Sequence, residues 1–365
     1  MRNPQQVAVV GAGVVGLAVA WRAASAGYRV TVFDPDPGCS ASWVAGGMLA
    51  PVTEAWPGEE DVLELGEESL RRWPDFAAEL GDVGLSTAGT VVAALDRGDA
   101  DQLDVLAGYL SRAGREAERV TGRELRKLEP GLGSVRSGLL VPGDLAVDNR
   151  RLLRLLRAKA GAEFVEAEVT GLAGDHVETG EGIRAFDAVV LAAGARSGRL
   201  HPALADVVRP VKGEILRLRP RRGSLPPPGR TVRAVVEGRP VYLVPRADGE
   251  LVVGATQYEA GFDTAVTARG VRELLEAAER VFPSVAEYEL AETAAGLRAS
   301  SVDNLPVLGE LPDGVYAAAG HHRNGLLLAP VTADAVLAWL AGRPVPDWAV
   351  PASPDRLRRE PVDAR

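Results

Sequence analysis

The chain has 365 residues, 46% of them hydrophobic and 25% charged, with a formal net charge of −9. That length suits two domains or two layered subdomains around large cores, and the negative charge argues against a nucleic-acid phosphate backbone as the main partner. A single cysteine (Cys39) and four histidines (His176, His201, His321, His322) without paired spacing exclude an intrachain disulfide and a thiolate metal cluster, so no metal is expected and a reducing, cytoplasmic compartment is.

The chain opens on an apolar run, Val7 to Val10, that enters Gly11-Ala12-Gly13-Val14-Val15-Gly16. A helical stretch follows from Leu17 to Ala26, closed by Gly27, and a second apolar run, Val30 to Phe33, ends at Asp34. Strand, glycine turn, helix, strand and acidic tip stand in the order a dinucleotide fold requires. Gly11 permits the tight turn, Gly13 lets a pyrophosphate approach the backbone, and Gly16 lets the helix pack on the strand. The helix N-terminus offers free N–H groups to phosphate, and Asp34 is placed to accept from ribose hydroxyls while repelling a 2′-phosphate. Read instead as a signal peptide or membrane anchor, Val7 to Ala26 would need an unbroken apolar span; glycines, Trp21 and Arg22 interrupt it, so no membrane span is expected.

After Asp34 the simple β-α-β rhythm stops. Cys39 to Pro51 is a loop of small residues, and a helix is expected over Asp61 to Leu80. A strand is expected at Thr90 to Leu95, then helices at Asp99 to Ala113 and Thr121 to Leu128, the second with Thr121 and Glu124 forming a capping box. Gly138 to Val141 reads as extended, Asn149 to Ala160 as an amphipathic helix, Glu163 to Glu168 as a strand, and Ala185 to Gly194 as a buried strand closed by glycine. Short strands at Ile215 to Leu218, Val232 to Val236, Val241 to Val244 and Leu251 to Ala255 suggest a largely antiparallel sheet. Arg219 to Gly229 is a surface loop and Gly270 to Phe282 a helix. The last segment repeats the opening logic: strand Val315 to Ala319, turn Gly320 to Gly325, helix Leu326 to Leu340, then a Pro- and Arg-rich tail. A nucleotide domain is thus entered at the N-terminus, left, re-entered near residue 150, and completed at the C-terminus.

This arrangement resembles the FAD-dependent amine and D-amino acid oxidase family, and within it the glycine oxidases of thiazole (thiamine) biosynthesis. The resemblance spans roughly residues 7 to 348. It is carried by the opening glycine motif, Ala45-Gly46-Gly47-Met48-Leu49, Pro210-Val211-Lys212-Gly213-Glu214, and Val241-Tyr242-Leu243-Val244-Pro245-Arg246, together with Ala295-Gly296-Leu297-Arg298 and Gly320-His321-His322-Arg323-Asn324-Gly325. It implies an α/β fold: a Rossmann-like FAD-binding domain of the glutathione-reductase type, discontinuous over 1–87, 140–206 and 296–348. Interleaved with it is an α+β substrate domain over 88–139 and 207–295 built on a mainly antiparallel sheet, with 349–365 a flexible tail.

By the same resemblance, FAD is bound non-covalently. Gly11, Gly13, Val14, Val15 and Gly16 lie along the pyrophosphate, Asp34 and Pro35 at the ribose, and Val169 at the adenine. Ala41, Ser42, Gly46, Gly47, Met48 and Gly194 line the cofactor, and His321 to Leu327 (His321, His322, Arg323, Asn324, Gly325, Leu326, Leu327) wrap the pyrimidine end of the flavin. Tyr242, Arg298 and Arg323 are the expected contacts of the substrate carboxylate, with Met48 at the pocket wall. The sequence departs from the family pattern at Gly46, at Pro240 and at Ala299, which bears on substrate preference.

The chemistry suits these residue types. A guanidinium can grip a carboxylate through two parallel hydrogen bonds and stays charged. His321 and His322 are not assigned as a base, because hydride loss from a neutral amine needs none and the flavin supplies the hard chemistry. The closing helix, expected to begin near Asn324-Gly325, would face its N–H groups to the flavin's pyrimidine edge. The expected activity is deamination of glycine, or of small amines and D-amino acids, to an imine and then a 2-oxo acid and ammonia, with O2 reduced to H2O2. Glycine imine would feed thiazole synthesis, and a homotetramer is the expected assembly. The alternatives are a D-amino acid or sarcosine oxidase or dehydrogenase of the same family, an NAD-dependent dehydrogenase, and a non-catalytic FAD protein.

Overall fold

The computed structural model describes residues 5–36, 38 and 40–358. Cys39 lies outside the described residues. Two large sheets organise the chain. The first has six strands in the order Val307–Glu310, Tyr316–Ala319, Ala188–Leu191, Gln6–Val10, Arg29–Phe33 and Glu163–Val165. All neighbours are parallel except the edge pair Val307–Glu310 with Tyr316–Ala319. Its strands come from the beginning, middle and end of the chain, as the interrupted sequence pattern requires.

The opening turn works through absent side chains. Gly11 has φ +112°, and a Cβ there would fall 2.4 Å from the Ala192 carbonyl oxygen. A Cβ on Gly16 would fall 1.9 Å from the Gly11 oxygen, so the helix Val14–Ser25 can lie on the strand only with glycine at that position. This helix packs against the closing helix Ala329–Leu340 and against Asn149–Lys159. Trp21, Trp73, Phe76, Leu152 and Leu156 fill the space between them.

The second sheet has nine strands in the order His321–His322, Glu289–Ser300, Arg209–Arg219, Leu251–Gly254, Arg239–Pro245, Thr231–Val236, Thr90–Ala94, Ser137–Val141 and Glu118–Thr121. It is antiparallel apart from the pairing of Thr231–Val236 with Thr90–Ala94. One face packs on the helix Ala268–Val281 through Leu274, Ala278, Val281 and Phe282. The pair Arg209–Arg219 and Glu289–Ser300 runs the length of the sheet, far beyond the four-residue strand expected at Ile215.

Other departures have local causes. The helix expected over Asp61 to Leu80 is two, Glu60–Leu70 and Trp73–Leu80, because Pro74 opens the second one and cannot continue the first. Val169–Ala173, His176–Thr179 and Gly182–Ala185 form a three-stranded sheet that the sequence reading passed over. The closing helix begins at Ala329, not at Leu326, with Pro330 in its first turn. Thr121 and Glu124 form the expected capping box. The tail expected to be flexible continues through two 3-10 turns, Asp347–Ala352 and Pro354–Arg358, with Ala349 and Ala352 buried; residues 359–365 lie outside the described set. Among the described residues no helix is long and apolar enough to cross a membrane.

Candidate active site

Two groups of residues converge where the sheets meet. The first lies at the opening turn. Val14 N–H donates to the Ser42 hydroxyl at 3.0 Å, which ties the helix N-terminus to the small-residue loop. The Asp34 carboxylate sits at the end of its strand, accepting from Ala12 N–H at 2.6 Å and Asp36 N–H at 2.9 Å. A Cβ on Gly13 would meet only the Ser42 hydroxyl, at 3.4 Å, and the first helical turn carries no acidic residue. An open, glycine-floored helix N-terminus with a fixed carboxylate at the neighbouring strand tip fits an FAD pyrophosphate and ribose. Val14, Val15 and Gly16 are buried, Pro35 is exposed beside Asp34, and Val169 is buried at the start of its strand. Gly194 is exposed at φ +55° just beyond the strand Ala188–Leu191.

The small-residue loop is held from behind. Asn149 donates through Nδ2 to the carbonyls of Ser42 and Trp43, at 2.8 and 2.9 Å. Its Oδ1 receives Arg246 at 3.1 Å and Arg217 at 3.2 Å, and Arg246 also donates to the Gly46 carbonyl at 2.7 Å. Burial, with Arg217 beside it, pulls Arg246 down to about 10. Gly47 has φ +87°, and a Cβ there would fall 2.2 Å from the Val147 oxygen. Met48 pairs with Ala146 in a short strand. Ala41 and Val44 pack against Gly296 on the strand that carries Arg298. The expected cofactor-lining residues and the candidate substrate residues are thereby brought together.

The second group is built from side chains. Arg298 lies over the backbone of Gly213, where a Cβ would fall 2.3 Å from its Nη1. From there it donates to the carbonyls of Lys212 at 3.3 Å and Thr256 at 3.2 Å. Burial lowers its pKa, opposed by Tyr242 and Glu54. The Tyr242 ring passes between Gly46 and Gly254, where added Cβ atoms would meet it at 2.7 and 2.3 Å. Burial pushes its phenol up, so it remains a donor at neutral pH. The departure at Gly46 therefore falls where the Tyr242 ring rests on the backbone.

His321 and His322 pair with Ser300 and Ala299, so the turn bearing Arg323 is stitched to the end of the Arg298 strand. His321 shares a hydrogen bond with the Thr332 hydroxyl at 2.9 Å, and burial lowers it to about 3. His322, at φ +47°, is lowered to about 4 by burial and by Arg323 and Arg298. Both are neutral at physiological pH. Asn324 to Leu328 form a turn, with Leu328 N–H bonded to the Asn324 carbonyl. Leu326 and Leu327 are buried in the main core, and the Leu327 carbonyl receives Trp73 Nε1 and the Ser69 hydroxyl. A Cβ on Gly325 would meet nothing closer than 3.9 Å, so space is open there.

Arg323 does not stand free. Its Nε lies 3.4 Å from Glu54 Oε2 and its Nη2 donates to the Glu54 carbonyl at 3.1 Å, with Glu59 Oε2 at 3.8 Å. Glu54 also receives Arg233 Nη1 at 2.6 Å. Burial would raise the Glu54 carboxyl, but Arg233 and Arg323 more than offset it and hold the group below its ordinary value. Arg233 pairs across the strands with Tyr242, so both side chains share a face. Beneath them Asp144 is fully buried, accepts from the Thr53 hydroxyl at 2.7 Å, and is raised by burial to about 7. Glu54, Arg233, Asp144 and Thr256 were not singled out from the sequence. Arg233, a lone charge in an apolar strand, was the available signal.

The known proteins agree with this architecture. The family model described as FAD dependent oxidoreductase (DAO) matches residues 6–339. A glycine oxidase of Geobacillus kaustophilus is 34% identical over 91% of this chain and 92% of its own. A putative thiamine biosynthesis oxidoreductase ThiO of Rhizobium etli is 36% identical over 91% of this chain and 95% of its own. A bifunctional protein ThiO/ThiG of Trichormus variabilis is 33% identical over 90% of this chain, which spans about half (51%) of that longer protein. The crystal structure of glycine oxidase from Geobacillus kaustophilus superposes with a TM-score of 0.88 at 32% identity, covering 96% of this chain and 98% of that one. The chain belongs to the DAO family of FAD-dependent oxidoreductases.

Proposed function

We propose that this chain is an oxidase of glycine, or of similarly small amino acids, that yields the imine and then glyoxylate and ammonia while O2 becomes H2O2. The observation that carries this reading is the half-buried Arg298 guanidinium, seated on the Lys212 and Thr256 carbonyls beside Tyr242. A structural FAD site has no need of such a cation held beside Tyr242. The relatives named glycine oxidase and ThiO support glycine as substrate and thiazole synthesis as destination.

When bound, FAD supplies the two-electron acceptor for the substrate C–H bond and passes the electrons to oxygen. The chain's own residues bind and orient. Arg298 holds one carboxylate oxygen, with Tyr242 as hydroxyl donor to the second, and Arg323 closes the site from the turn. Because burial lowers His321 to about 3 and His322 to about 4, both are too weakly basic to take a proton from a substrate ammonium, and the substrate amine arrives already deprotonated. The same reading makes the enzyme a cytoplasmic homotetramer, an assembly that light scattering measures.

The test is a peroxide assay on the purified yellow protein with glycine, sarcosine, D-alanine and D-proline. Glycine should give the highest kcat/KM. A protein that holds FAD yet turns over none of the four would overturn the reading.

A further inference from the structure

We propose that Glu54 sets the charge selectivity of the substrate site: it cancels Arg233 and shares Arg323, so that the site admits one carboxylate and rejects a second. This rests on the reading that Arg298, Tyr242 and Arg323 receive a carboxylate. Glu54 is an anion fixed between two guanidinium groups, 2.6 Å from Arg233 Nη1 and 3.4 Å from Arg323 Nε. Its side chain is only 14% exposed. Arg233 stands opposite Tyr242 on the same sheet face, so Glu54, bound to Arg233, lies on the Tyr242 side of the sheet, where its charge acts on both Tyr242 and Arg298.

Two guanidinium groups, Arg233 and Arg323, contact one half-buried carboxylate whose charge also acts on Arg298, with Glu59 touching Arg323 at the rim. With Glu54 in place, Arg233 is spent and a second ligand carboxylate meets a like charge in a poorly solvated setting, the repulsive element that specificity often uses. Removing the Glu54 charge would leave Arg233 uncovered as a further carboxylate receptor and free Arg323 from a competitor. A merely structural Glu54, tying residues 51–59 to the sheet, would alter stability without altering which carboxylates bind.

The experiment measures dissociation constants of acetate and malonate on the flavin-loaded protein, from the perturbation of its visible spectrum. In Glu54→Gln the malonate-to-acetate affinity ratio should rise at least about tenfold. Glu54→Asp, which keeps the charge, should hold the wild-type ratio. Arg233→Met leaves Glu54 less neutralised and should move the ratio the opposite way, which carries the test if Glu54→Gln fails to take up flavin. Ratios within about twofold of wild type in Glu54→Gln or Arg233→Met would overturn the proposal, since a removed buried charge should be felt by a dianion. If the wild type binds acetate and Arg298→Ala does not, the carboxylate reading stands whatever the ratios do. If acetate binding is absent or indifferent to Arg298, that reading falls and this proposal with it.

Discussion

The opening turn and the carboxylate cluster are built in opposite ways. The turn uses backbone: one contiguous stretch, Gly11 to Asp34, in which glycines are required because Cβ atoms would strike the Gly11 or Ala192 oxygens. The cluster uses side-chain charge: Glu54, Arg233, Tyr242, Arg298 and Arg323 arrive from five separate segments and are placed by the pairing of long strands. Steric needs in the turn leave a readable local signature. Electrostatic needs in the cluster are met by residues distant in sequence, each of which looks ordinary alone.

If that contrast is right, the two regions should fail differently. Gly16→Val should be the most damaging change, because its side chain collides with backbone that cannot yield. We expect loss of bound FAD and several kcal/mol of stability, about the cost of severe overpacking, read by thermal unfolding and flavin content. Arg298→Ala should leave FAD content and fold intact while kcat/KM for glycine falls at least about tenfold, the effect of removing one partner of a buried charge pair.

Smaller changes sharpen the comparison. Asp144 is raised by burial to about 7. A carboxyl raised in the folded state stabilises most at low pH, and that contribution is lost as pH rises from its unfolded value near 4 through 7. Asp144→Asn should therefore match wild type near pH 4 and exceed it by about 2 kcal/mol at pH 8, measured by denaturant titration at both pH values. His321 and His322 shift the other way, so their contribution is present above the unfolded value near 6.5 and lost as pH falls towards 4 and 3. The kcat/KM profile for glycine should accordingly rise only with ionisation of the substrate amine, with no inflection near 6.5 from either histidine. Thr121→Ala, which removes a capping box remote from the site, should cost about 1 kcal/mol and leave kcat/KM unchanged.

What could be read in advance follows the same division. The glycine motif, Asp34, the amphipathic helix at Asn149 and the capping box at Thr121 are local patterns, and they sit where the periodicities put them. Within Glu289–Ser300 only the Ala295-Gly296-Leu297-Arg298 motif stands out in the sequence, because Ala, Glu and Gly dominate the segment and strand propensity is low. Its extended form comes from pairing along Arg209–Arg219. The turn after His322 reads as helix because Leu326, Leu327 and Leu328 are strong helix formers, yet Pro330 favours a start just before it. Arg323 was legible as a cation in the right turn. Its engagement by Glu54 was not, because nothing local links residues 269 positions apart.

The central claim is that Arg298 holds the substrate by its carboxylate. Anaerobic mixing of the yellow protein with glycine, followed by absorbance, tests it most directly. Wild type should bleach at a rate that saturates with glycine, and Arg298→Ala, equally yellow, should bleach at least about tenfold more slowly at subsaturating glycine. Equal rates in the two proteins would contradict the account.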